Sequence, residues 1–306
     1  MHNKTLRNTV FFIILITASF LVGCSDGGSA SHTNGQRETL HEFPMPEASG
    51  SVTYGGGLAS VDASNVSEGY IMARYSGGAD KARLQITEPD GTVYSYTLKT
   101  SSYETFPLSG GSGSYRLQIL EHAYGDMYAL VFTQDISAEL KNEFGPFLYP
   151  NQYVWFTPDS EAVSYGISIS DKSSNDLDYV EQIYRYVTGS ISYDEEAAAN
   201  VTADYIPDID RTMESGKGIC FDYASLMAGL LRSQGIPTKL VVGYSGTAYH
   251  AWISVYLDEA GWVDNIIEFD GSSWSLMDPT LAACNDSSSV KEYIGDGSNY
   301  TEKFSY

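Results

Sequence analysis

"GKGICFDYASLMAGLLRSQGIP", residues 216–237, places Cys220 where a helix begins. Ala224, Met227, Ala228 and Leu231 recur at helical spacing and form one apolar face. Gly235, Ile236 and Pro237 end the run, because glycine closes a helix C-terminus and proline cannot continue it. A thiol at a helix start meets about half a positive charge and unpaired backbone N–H groups, which favour thiolate over thiol. Cys220 thus reads as a nucleophile, beside three plainer readings: a small buried hydrophobe, half of a disulfide, or a metal ligand.

Two strands follow. "TKLVVGYS" (238–245) is apolar throughout its middle and reads as buried. "HAWISVYL" (250–257) turns Ala251, Ile253, Val255 and Leu257 to the core and His250, Trp252, Ser254 and Tyr256 to the other face. A cysteine nucleophile needs an imidazole to take its proton and an acceptor to fix that imidazole's tautomer. Of the five histidines, His2 falls in a leader, His32 and His41 in the stretch after it, and His122 in a β-rich region. His250 is the one that shares a domain with Cys220. If 249–257 pairs antiparallel with 272–280 about residue 264, Asp278 falls opposite His250. A strand over 262–268 would instead move Asp278 one strand farther out. "GWVDNIIEF", an Asp270-Gly271 turn and "SSWSLMDPT" are expected to complete the sheet, and Trp252 is placed to shield the pair from water.

Upstream, "NDLDYVEQIYRYVTG" (175–189) spaces Leu177, Val180, Tyr184 and Val187 as an amphipathic helix, with Gly189 expected as its C-cap. Residues 191–218 read as a polar connection. Between about 50 and 140 the period is two instead. "KARLQIT" (81–87), "TVYSYTLK" (92–99), "GGSGSYRLQIL" (110–120) and "MYALVF" (127–132) are separated by Gly, Pro and Asp turns. That pattern predicts an antiparallel β-sandwich over 49–142. It carries no nucleophile motif and reads as a spacer or binding module.

The chain opens with "MHNKTLRNTVFFIILITASFLVGC" (1–24): Lys4 and Arg7, then an apolar run from Val10 to Val22, too short to span a membrane comfortably. Leu21, Val22, Gly23 and Cys24 resemble a bacterial lipobox. The resemblance implies a signal peptide over 1–23, acylation of Cys24 and a tether to the outer face of a cell membrane. Residues 24–48, opening with the Gly- and Ser-rich "SDGGSASHTNGQ", are expected to be a flexible polar tether. The net charge of −22 falls to about −24 without Lys4 and Arg7, which argues against nucleic acid or an anionic membrane as a charge-driven partner. Basic or neutral substrates fit better. Cys284, in "LAACNDSSS", reads as a structural or incidental thiol; a disulfide to Cys220 would close a loop of roughly 64 residues.

"GICFDYA", "LLRSQGIP", "LVVGY", "HAW" and "MDPT", in that order, resemble the bacterial transglutaminase-like superfamily over about residues 145–285. The resemblance implies an α+β, papain-like domain over 143–306 and a Cys-His-Asp triad that transfers acyl groups from amides. Cys220 would be the nucleophile, His250 the general base and acid, and Asp278 the orienting carboxylate. Gly218, Tyr223 and Trp252 would line the substrate cleft. The substrate would be a protein or peptide, and the reaction that of a peptidase or a protein-glutamine transamidase. No cofactor or metal is implied, and neither a Cys-x-x-Cys pair nor a His-Glu-x-x-His helix occurs. "DNIIEFDG" (264–271) lengthens the family's hairpin between "HAW" and "MDPT". The alternative is a surface binding or assembly module that keeps the fold without the activity.

Overall fold

The computed structural model describes residues 37–99, 101–258, 260–264, 266–269, 274–276 and 300–306. Cys24, Asp278 and Cys284 lie outside them. Eight strands come first: β1 (Thr53–Gly56), β2 (Ala59–Asp62), β3 (Tyr70–Tyr75), β4 (Ala82–Thr87), β5 (Val93–Leu98), β6 (Glu104–Pro107), β7 (Gly113–Tyr124) and β8 (Met127–Ala138). They pair antiparallel in two sheets, ordered β1-β2-β3-β6 and β5-β4-β7-β8. Alternation decides which face closes the sandwich. Leu84 and Ile86 of β4 and Leu117 and Ile119 of β7 are buried, as are Val61, Ile71 and Phe106 of the other sheet. The period-two pattern of the sequence is therefore realised as the expected sandwich.

The second half comprises α1 (Glu161–Ser170), α2 (Asp176–Ser190), β9 (Ser192–Tyr193), α3 (Glu195–Asn200), α4 (Ile209–Ser215), β10 (Lys217–Gly218) and α5 (Cys220–Arg232). Five strands follow: β11 (Thr238–Ser245), β12 (Ala248–Leu257), β13 (Gly261–Asp264), β14 (Ile266–Phe269) and β15 (Trp274–Leu276), with β16 (Tyr300–Ser305) near the end. The main sheet here runs β13-β12-β11-β16. Helix α5 packs on β11 and β12 with one side and on α1, α2 and α4 with the other. Every residue from Asp222 to Arg232 is buried as a result. Fold class is α+β: an antiparallel sandwich followed by a helix-covered antiparallel sheet.

Several local expectations change. The stretch 191–218 is not a plain connection, because Asp194 and Asp208 cap α3 and α4 by accepting from the N–H groups of Ala197 and Arg211. Ile209 then buries against α5. Gly189 lies inside α2, which ends when the Ile191 N–H bonds the Val187 carbonyl. Of the stretch 24–48 expected to be a flexible tether, only residues 37–48 are described. Arg37 pairs with Asp176 at 2.7 Å and Phe43 packs its ring 5.1 Å from Phe156, so the chain from Arg37 onward is docked rather than free.

The sheet register also differs. Strand β12 folds back at Leu257 and pairs with β13, setting Ser254 opposite Asp264. Strand β15 pairs with β14. An intervening strand is thus present, and among the described residues Trp274–Leu276 pairs with β14 and not with β12.

The sandwich and the helical half share an aromatic junction. Tyr94 and Tyr96, on the edge strand β5, contact Phe304, Tyr306 and Tyr153 with ring centroids 5.0–5.8 Å apart. The Ser305 N–H donates to the Tyr94 hydroxyl oxygen at 3.1 Å.

Candidate active site

Cys220 is the first residue of α5 and carries a free, half-buried thiol. The turn before it is held by Asp222. One carboxylate oxygen of Asp222 accepts the Ile219 N–H at 2.8 Å, satisfying one of the donors that a helix start leaves over. The other accepts the Tyr205 hydroxyl at 2.6 Å, and Arg211 donates to that same hydroxyl at 3.0 Å. Burial pushes the Asp222 carboxyl up, opposed by the bonds from Tyr205 and Ile219. The Tyr205 phenol is also pushed up, first by burial and then by Asp222, in keeping with its role as donor to that carboxylate.

His250 stands on β12 opposite Gly243 of β11. That glycine is required by its neighbours. A Cβ there would lie 2.1 Å from the Thr301 carbonyl oxygen and 2.9 Å from the Trp252 ring. The close approach lets β16 pair with β11 and packs the Trp252 indole against Tyr300 at 5.1 Å, with the His250 ring 6.4 Å from Trp252.

Cys220 and His250 line one cavity of about 500 Å³. Its lining includes Ile219 and Phe221 beside the thiol, Tyr249 and Ala251 beside the imidazole, and Phe304 and Tyr306 at the end of the chain described. Ala198, residues 201–203, Tyr205 and the outward face of β5, at Val93 and Ser95, close it from the far side. The Tyr249 phenol is pushed up by burial, then by Tyr244 and the nearby Cys220.

The structure therefore brings Cys220 and His250 to one cavity. Asp278 lies outside the described residues. The three residues expected in the cleft are placed behind it instead. Tyr223 is fully buried, with its hydroxyl donating to the Ile191 carbonyl at 2.6 Å. Trp252 is buried, its indole packed against Tyr300 of β16. Gly218 is buried in the pairing of β10 with β9, where a Cβ would meet the Asp222 side chain at 2.6 Å. The alternation along β12 correctly separated Trp252 from the core face, but it carried no signal that Tyr300 of β16 would pack against it there.

Residues 164–265 match the transglutaminase-like superfamily, and this part of the chain is a transglutaminase-like domain. The uncharacterized protein YebA of Bacillus subtilis (strain 168) is 30% identical over 121 residues, spanning 32% of this chain and 16% of that protein. This chain thus accounts for about a sixth of that relative's length. Among solved structures, a cysteine-protease candidate from Cytophaga hutchinsonii aligns over 75% of this chain and 74% of its own, at 15% identity and a TM-score of 0.35. Red sea bream transglutaminase aligns over 69% of this chain and 48% of its own, at 14% identity and a TM-score of 0.30.

Proposed function

We propose that the chain is a cysteine-dependent acyl-transfer enzyme acting on amide groups of proteins or peptides, with Cys220 as nucleophile and His250 as general base and acid. The observation that carries this reading is the meeting of the two at one cavity, with Cys220 at the first turn of α5. The thiol proton passes to His250 as the Cys220 sulfur bonds the amide carbonyl carbon. Backbone N–H groups at the start of α5 lie outside the intrahelical ladder, a ready source of donors for the oxyanion. The C–N bond then breaks as His250 returns the proton to the leaving amine, giving a thioester. Attack by water yields a carboxylate and the free thiol; attack by a primary amine yields a new amide. Asp278 completes the proposal as the group that orients His250. Acylation at Cys24 would hold the enzyme on the outer face of the membrane.

The test is incubation with a glutamine-bearing protein and a labelled amine, in wild type and Cys220→Ser. Incorporation of the amine identifies transfer, and shortened fragments identify hydrolysis. Either activity must vanish in Cys220→Ser. Equal activity in the variant, or none in the wild type across a panel of unfolded proteins, would remove the enzyme reading in favour of an inactive binding module.

A further inference from the structure

The cavity that holds Cys220 and His250 is lined by no Asp, Glu, Lys or Arg side chain among the described residues. Its rim is apolar and wet. Val93 is 46% exposed, Val201 46% and Tyr249 61%, and all three line this one space. Exposed apolar side chains scattered singly need no explanation, but gathered around a cleft they mark a binding surface. An ionised side chain entering here would lose water and meet no counter-charge. An aromatic ring would instead bury about 150–250 Å² against other rings.

The walls come from both halves of the structure. Val93 and Ser95 belong to the outward face of β5, the edge strand of the sandwich. Beside them runs a strap, residues 201–205, that is fastened at its C-terminal end. Thr97 donates to the Asp204 carboxylate at 2.8 Å, Lys81 pairs with it at 3.2 Å, and Lys99 donates to the Asp204 carbonyl at 2.7 Å. Tyr205, the next residue, ties the same end to Asp222 beneath Cys220.

We propose that this cavity is the acyl-donor subsite, that it selects a peptide carrying an aromatic or large apolar residue beside the reacting amide, and that the β-sandwich supplies its outer wall. The proposal rests on the acyl-transfer reading of Cys220. The volume, about 500 Å³, exceeds one ring and admits a neighbouring side chain as well. The net charge of −22 works in the same direction, against acidic peptides.

The test uses alkylating probes on the full chain: iodoacetamide and the N-iodoacetyl derivatives of phenylalaninamide, aspartic acid amide and lysinamide. In each case the Cys220 sulfur forms a C–S bond, iodide leaves and the thiol proton goes to solvent; adducts at Cys220 are counted by peptide mass. The phenylalanine probe should outpace iodoacetamide by about tenfold or more and saturate, while the aspartate probe falls below it. Equal rates for all probes, or a charged probe leading, would overturn the subsite. Val93→Lys lies on an exposed strand face, and its fold is checked by circular dichroism. It should slow the phenylalanine probe and speed the aspartate probe, and an unchanged ranking would overturn the role of the sandwich. Failure of the nucleophile reading looks different: iodoacetamide would then react with Cys220 equally fast in wild type and His250→Ala, however the probes rank.

Discussion

Asp222 does for Cys220 what a backbone acceptor cannot. The residue before the helix is Ile219, whose side chain has no acceptor to offer the first turn, and the cap that remains is the Asp222 carboxylate accepting the Ile219 N–H. Gly218 makes room for that carboxylate, since any Cβ would press on Asp222. Asp222→Ala should cost about 1 kcal/mol, a lost cap plus an orphaned Tyr205 hydroxyl, and slow Cys220 alkylation. Asp222→Asn, which keeps an acceptor, should recover most of both, as measured by thermal melting and by alkylation rate. Equal rates in the two variants would show that the cap does not position the thiol. The capping role was legible in "GICFD" because capping is local. Tyr205 was not, since "VTADYIPD" has no periodicity and its partner lies across the fold. His250 was found by elimination among five histidines.

At the scale of elements, punctuation was the legible part. Gly235 takes a φ of +78° where "QGIP" ends α5, and both strands after it lie where alternation put them. The pairing of β12 was not legible, because two turns compete for the same strand. The nearer one wins: Ala260 N–H bonds the Leu257 carbonyl, and Gly261, at φ +75°, starts β13 at once. A short loop closes at lower entropic cost than a long one. Strand β16 depends on Gly243. Gly243→Ala should shift β16 from β11 and lower stability by about 1–3 kcal/mol, read from chemical denaturation, with slower alkylation of Cys220 as the cavity wall moves. A neutral effect would mean that the Thr301 carbonyl yields freely. Within the sandwich, Glu88 is buried at the β4–β5 turn, where it accepts the Gly110 N–H at 2.9 Å. Burial pushes its carboxyl from an ordinary value of 4.5 to about 7. The folded value lies above the unfolded one, so its stabilising contribution is full below pH 4.5 and is lost as pH rises through about 7. Glu88→Gln should flatten this decline, which in the wild type amounts to about 1–2 kcal/mol. Parallel melting curves for the two proteins over that window would refute the assignment.

Across the whole molecule, the two halves are joined by packed rings rather than a linker. Tyr94 and Tyr96 of the sandwich share their faces with Phe304, Tyr306 and Tyr153. One cluster of buried side chains runs through both halves, so denaturant should unfold residues 37–306 in one transition seen alike by tryptophan fluorescence and circular dichroism. Two separated transitions would show independent domains. The sequence pointed to a sandwich and to a catalytic half, each from its own period. It could not show their fusion, because buried tyrosines alternating along an edge strand read the same whether they close their own sandwich or meet a second domain. The central claim is that Cys220 is a nucleophile activated by His250. The most direct test is its alkylation rate by iodoacetamide at about pH 6 and about pH 8.5, in wild type and His250→Ala, with adducts located by peptide mass. The account predicts that at about pH 6 wild-type Cys220 reacts at least about tenfold faster than free glutathione, and that His250→Ala removes most of that advantage. A wild-type rate no faster than glutathione at the lower pH, unchanged in His250→Ala, would contradict it.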